Sequence, residues 1–228
     1  MRISAVAALL LGFLAVASVC SSPVLAGSNY VGFRGGINVS TLKADEPIEM
    51  SSVNRPVGGV VGIFELTPWL SFQVEGLWSG KGGEGTVPFN VVMSGSVSGT
   101  LSLDYLEIPL LLRATPMTSG RWRPYFYGGP GFAANLSASA DAQINDNPLS
   151  PTLLEQIEQV VTDGDLLLYA GLGLGVALGR PVLENDARYS AGLIGVDESR
   201  FSINPQNRTW GFTVALLFGP DSTPGRTE

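Results

Sequence analysis

The chain is 228 residues long, with 13 Lys and Arg against 20 Asp and Glu, no His and a formal charge of −7 at pH 7. The acidic balance excludes a basic nucleic-acid-binding face, and 45% hydrophobic residues with only 14% charged ones exclude the disordered class. Ordinary soluble domains carry about 25% charged residues, so a chain this poor in charge is expected to have an apolar medium around it.

Met1-Arg2, the apolar run Ile3 to Val19 and the small-residue approach Val24-Leu25-Ala26 read as a secretory signal peptide over 1–26, with the exported chain starting at Gly27. Cys20, the single cysteine, invites lipidation, but Ala17, Ser18 and Val19 do not form the Leu-Ala-Gly type of approach to a lipidated Cys. Loss of the leader removes every thiol and leaves 12 basic residues, Arg2 being gone, against 20 acidic ones, a charge of −8. No linker or change of period divides the remainder, so 27–218 is expected to be one domain, followed by a tail over 219–228.

After Gly27 no stretch reaches the roughly 18 apolar residues of a spanning helix, so any membrane crossing falls to strands. In chain order they are expected near 30–38, 57–66, 70–80, 100–113, 121–136, 165–178, 187–196 and 208–218. The third alternates Leu70, Phe72 and Val74 with Ser71, Gln73 and Glu75; the last alternates Trp210, Phe212, Val214, Leu216 and Phe218 with Thr209, Gly211, Thr213 and Ala215. Between the fifth and sixth strands, Ser150-Pro151 opens a short helix with one face made of Leu153, Leu154, Ile157, Val160 and Val161. It suits a lid on the barrel mouth, or an amphipathic surface for lipid or a partner. Long connections near 39–56, 81–99, 137–164 and 197–207 alternate with short ones near 67–69, 114–120 and 179–186. That alternation predicts an all-β fold, an eight-stranded antiparallel up-and-down transmembrane β-barrel of porin-like character, with its termini in the periplasm.

Aromatic residues prefer the membrane interface, where a ring can keep a polar edge in water. Trp69, Trp122 and Phe218 are expected near the periplasmic rim, and Trp78, Phe132 and Trp210 near the outer one. The ten steps from Trp122 to Phe132, at about 3.3 Å each and tilted about 40°, rise about 25 Å, the height of the apolar band. With large apolar residues facing lipid, the opposite phase holds Arg34, Glu65, Gln73, Glu75, Glu107, Arg113, Arg123 and Arg188 beside Tyr105, Tyr125, Tyr127 and Tyr169. An isolated charge in low dielectric costs several kcal/mol. Glu65, Glu75 and Glu107 are therefore expected to pair inside the barrel with Arg34, Arg113 and Arg123, plugging it or lining a narrow ion path.

Leu106-Glu107-Ile108-Pro109-Leu110-Leu111-Leu112-Arg113, Pro124-Tyr125-Phe126-Tyr127-Gly128-Gly129-Pro130-Gly131 and Gly32-Phe33-Arg34-Gly35-Gly36-Ile37-Asn38 resemble the PorT-like outer-membrane β-barrel family. The resemblance covers most of the exported chain and implies a small outer-membrane barrel. Its name-giving member is tied to secretion, and many relatives have no assigned activity.

Pro109 and Pro130 cannot donate a ladder hydrogen bond, so local bulges or bends are expected there. Gly171, Gly173 and Gly175 echo a nucleotide-binding loop, but no turn into a helix follows; they are expected to make room for Tyr125 and Tyr127. The outer connections are acidic, with Asp45, Glu46, Glu49, Glu84, Asp141, Asp146, Glu155, Glu158, Asp163, Asp197 and Glu198 opposed by Lys43, Arg55, Lys81 and Arg200. A solvated surface explains them, and no calcium-ligand spacing is present. Without His, and without Cys once the leader is gone, the usual nucleophile–base and zinc routes close, so no enzyme, metal or cofactor is expected. Two classes of function stay open: a monomeric structural or interaction barrel meeting outer-membrane lipid and a secretion or surface protein, or a pore or small-ligand barrel.

Overall fold

A computed structural model describes residues 29–43, 49–90, 94–118, 120–144, 147–148, 164–193 and 206–219. The strands are β1 (Tyr30–Lys43), β2 (Glu49–Thr67), β3 (Leu70–Asn90), β4 (Ser94–Ala114), β5 (Trp122–Ile144), the two-residue β6 (Asn147–Pro148), β7 (Gly164–Ala177), β8 (Pro181–Gly192) and β9 (Gln206–Phe218). They form one sheet in the order β4-β3-β2-β1-β9-β8-β7-β5-β6, and pairing of β4 with β5 closes it. All neighbours are antiparallel. Setting aside β6, which only folds back to pair with the far end of β5, eight strands form a closed up-and-down barrel. Closure gives every ladder a partner and leaves no edge.

The two phases of each strand are sharply different. On β9, outward-facing Trp210, Phe212, Val214, Leu216 and Phe218 are 38–53% exposed, whereas inward-facing Thr209, Thr213, Ala215 and Leu217 are at most 4% exposed. Outward-facing Phe33, Leu112, Trp122, Phe126, Phe132 and Leu172 continue the apolar surface around the wall. Trp69 and Trp122 lie exposed at the end that holds the short turns, where Phe218 ends β9. Phe132 and Trp210 lie farther along and exposed, and Trp78 is half-buried opposite Leu106 and Gly58. No helix of the described residues is long and apolar enough to cross a membrane.

Several boundaries depart from the sequence reading. The second long connection, expected over 81–99, continues β3 and β4 as a paired hairpin from Lys81↔Leu103 to Asn90↔Ser94. β8 spans 181–192 rather than 187–196, because the turn before it is confined to 178–180, with Gly179 at a φ of 97°. Pro109 and Pro130 bring no register shift: pairing stops between Val74↔Leu110 and Leu77↔Glu107, and between Pro109↔Gly131 and Leu112↔Gly128, then resumes in the same register. The bulges expected there are gaps instead, since neighbouring pairs hold the strands where proline lacks an N–H. The β4–β5 irregularity falls between Asp104 and Tyr105. The leader, Cys20, the tail after Gly219, the helix expected over 150–161 and connection residues such as Asp45 and Glu155 lie outside the described residues.

The glycines of β7 do what their spacing predicts. A Cβ on Gly171 would lie 2.5 Å from Tyr127 Cζ, and one on Gly173 would lie 2.5 Å from Tyr125 Cζ and 2.6 Å from the Asn185 carbonyl oxygen. Gly173→Ala is expected to lower stability by about 1–3 kcal/mol through overpacking. Urea titration of the folded, heat-modifiable form should show this, with part of the loss recovered in Gly173→Ala/Tyr125→Leu.

Candidate functional site: the charged interior

The barrel interior is layered. Near the short turns, Val61, Ile63, Val182, Ala215 and Leu217 form an apolar cluster, with Tyr30 against it. Above it, β1, β3, β4 and β8 each project charged side chains inward, because their inward positions alternate with the lipid-facing ones. Arg34, Glu75, Glu107, Arg113, Glu184, Asp186 and Arg188 are all buried.

Three guanidiniums face three carboxylates at the centre. Arg188 holds Glu75 through both nitrogens, Nη1–Oε2 at 2.7 Å and Nη2–Oε1 at 3.2 Å. Arg113 holds Glu184 in the same two-pronged way at 2.5 and 3.1 Å, and also donates to Gln73 Oε1 at 3.3 Å. Arg34 lies between the pairs: Nη1 meets Asp186 Oδ2, Nε is 3.5 Å from Glu75 and Nη2 is 3.6 Å from Glu184. Thr213 donates to Asp186 at 2.7 Å. The planar fork of arginine suits such paired contacts, and matched charge removes the penalty of an isolated buried ion.

Tyrosines from β5 and β7 pack against these charges. The Arg113 guanidinium sits 3.7 Å above the Tyr125 ring, Arg188 lies 5.6 Å from that of Tyr127, and the two rings stack with centroids 6.1 Å apart. Tyr169 donates to Glu107 Oε2 at 2.6 Å, while Lys81 Nζ lies 2.6 Å from Glu107 Oε1 and 5.7 Å from the Tyr105 ring. Farther toward the long connections, Asn38 donates to Ser79 at 2.9 Å, Ser40 meets Thr209 at 3.0 Å and Arg55 pairs with Asp104 at 3.1 Å.

Of the residues expected to form the network, Arg34 and Glu75 meet directly, Arg113 lies in the same cluster through Glu184, and Glu107 pairs with Lys81. Glu65 and Arg123 sit half-buried toward the short-turn end, Glu65 beside the β2–β3 turn and Arg123 donating to the Tyr30 hydroxyl at 3.3 Å. The sequence reading missed Glu184 and Asp186, assigned to a turn, and Lys81, assigned to an outer connection. Their signal was available: Glu184, Asp186 and Arg188 share one phase, as do Glu75, Ser79 and Lys81. The apolar layer of Val61, Ile63, Val182 and Leu217 was also missed. No group of His, Cys, Asp and Glu that could hold a metal occurs among the described residues.

Breaking a buried pair on one side leaves an uncompensated charge, at about 3–5 kcal/mol. Lys81→Met should therefore destabilise the barrel by roughly that amount in urea titrations. Lys81→Met/Glu107→Gln should recover most of it, because the introduced amide oxygen keeps an acceptor for Tyr169 without a charge.

No curated protein matches the chain in sequence. Among solved structures it is similar to OprG from Pseudomonas aeruginosa (12% identity, 85% of this chain and 96% of that one, TM-score 0.45). It is also similar to Ail, the attachment invasion locus protein of Yersinia pestis (13%, 84% and 100%, 0.43), and to Neisserial surface protein A (10%, 84% and 98%, 0.43). The family model described as outer membrane protein beta-barrel domain matches residues 26–198. With its closed eight-stranded wall, apolar outside and charged inside, the chain belongs to this family of bacterial outer-membrane β-barrels.

Proposed function

We propose that the protein is a plugged barrel with a structural or interaction role, its long-connection end meeting lipid or a partner protein at the cell surface. The central charged layer supports this reading: Arg34, Arg113 and Arg188 pair with Glu75, Glu184 and Asp186, with Tyr125 and Tyr127 packed against them, on the inward face that a solute would have to pass. By the usual arrangement of such barrels, the short turns face the periplasm and the acidic connections face outward. The likeness of the Leu106–Arg113 and Pro124–Gly131 motifs to PorT-like barrels supports a link to secretion, and residues 1–26 supply the export signal that is cleaved. Nucleic acid, cofactors and catalysis have no place in this reading.

A second reading, a narrow pore or small-ligand barrel, draws on buried polar atoms without hydrogen-bond partners, among them Tyr127 Oη and Asn135 Nδ2. Water could bridge them into a thin file.

Planar-bilayer recording separates the two. The plugged barrel passes no steady current, and Arg113→Ala/Tyr125→Ala opens one; steady current through the unaltered protein supports the pore instead. In intact cells, Ser139→Cys, exposed on the far part of β5, should react with an impermeant maleimide. Protection of Ser139→Cys until the outer membrane is permeabilised would reverse the proposed orientation.

A further inference from the structure

Among the described residues, the middle of the outer wall carries one polar side chain. Asn185 occupies an outward position on β8 and is exposed, in the row Pro124–Leu174–Asn185–Val214. It lies four residues from Pro181, which pairs with Phe218 at the short-turn end, and four from Tyr189, which pairs with Trp210. That is the middle of the lipid-facing band. The side chain of Asn185 makes no hydrogen bond among the described residues. An amide transferred to hydrocarbon without a partner is costly, and acyl chains offer it none.

Asn185 also lies in a groove. On β8 the outward residues Asn185 and Ala187 are small, while Leu172 and Leu174 on β7 and Phe212 and Val214 on β9 stand up on either side. The depression between these ridges has a volume of about 540 Å³. Other small outward positions, such as Gly128 opposite Ala170, carry no polar side chain.

We infer that this groove is an interface with a second copy of the same chain, in which Asn185 hydrogen-bonds to Asn185 of the other barrel. Symmetry selects that partner. Two barrels with the same orientation in a membrane are related by a two-fold axis along the membrane normal, and that axis preserves height. A polar group midway through the wall therefore meets its own copy. Sheets packed face to face lie about 10 Å apart, and two asparagine side chains reaching toward each other close most of that gap. Strands tilted by about 40° cross at this point, so each barrel's β7 ridge faces the other's β9 ridge. The monomer expected from the sequence becomes a dimer, and this inference does not depend on whether the barrel is plugged.

The test uses the full chain with Cys20→Ser, folded into phosphatidylcholine vesicles at low protein-to-lipid ratio. Asn185→Cys should form a disulfide-linked dimer on oxidation, while Phe33→Cys, on β1, should stay monomeric. By energy transfer between labelled copies, Asn185→Leu should reduce the dimer fraction at least tenfold, with the heat-modifiable band confirming that the variant folds. Monomeric unaltered protein with no Asn185→Cys cross-link overturns the inference. So does an equally dimeric Asn185→Leu, which would place the contact elsewhere. A lipid retained in native mass spectra of the unaltered protein, absent from Asn185→Leu and accompanied by no dimer, would assign the groove to lipid instead.

Discussion

A peptide group in hydrocarbon finds no water to bond, and each unmatched N–H or C=O there costs several kcal/mol. The rest of the structure follows from that constraint. The described residues hold no helix long and apolar enough to cross a membrane; the sheet satisfies the constraint by closing on itself, through the ladders of β1 with β9 and β4 with β5. Closure then divides every strand into two populations. One faces lipid and must be apolar; the other faces the barrel interior, where buried charges need partners.

The pairing of its buried charges is what distinguishes this barrel from a core turned inside out. Three arginines could not be buried singly, and their two-pronged contacts with Glu75 and Glu184, together with Asp186, keep the central layer neutral. Buried ion pairs are weak sources of net stability, and what this layer contributes is register. A one-residue slip of any strand would turn arginines into lipid and leucines onto carboxylates, so the interior specifies register as well as occupying volume. The glycines of β7 serve the same end by giving up side chains where Tyr125 and Tyr127 need room.

Much of this was legible in the sequence, and the failures have physical causes. Period-two alternation placed β3 and β9 well and assigned Arg34, Glu75, Glu107 and Arg113 to the inner phase. Periodicity says nothing about height along the axis, which is why Glu65 and Arg123, on the correct phase, lie toward the short-turn end away from the central cluster. β8 was displaced because its outward phase is interrupted by Asn185, so its first half lacked the apolar alternation that marks a strand; Glu184 and Asp186 were lost with it. The extension of β3 and β4 was hidden by Gly82, Gly83, Ser96 and Ser98, which read as a loop but pair as a hairpin. Lys81, at the base of that extension, consequently looked like a surface charge.

The central claim is that the aromatic face meets lipid while the charged face is enclosed, and fluorescence quenching by brominated lipids tests it most directly. All four tryptophans, Trp69, Trp78, Trp122 and Trp210, occupy outward positions or the short turn. In vesicles with bromine at defined acyl depths, emission should be quenched most strongly by bromines near the headgroups and least by those at the chain ends. Emission indifferent to bromine at every depth, but quenched by aqueous iodide or shielded from both, would contradict the account.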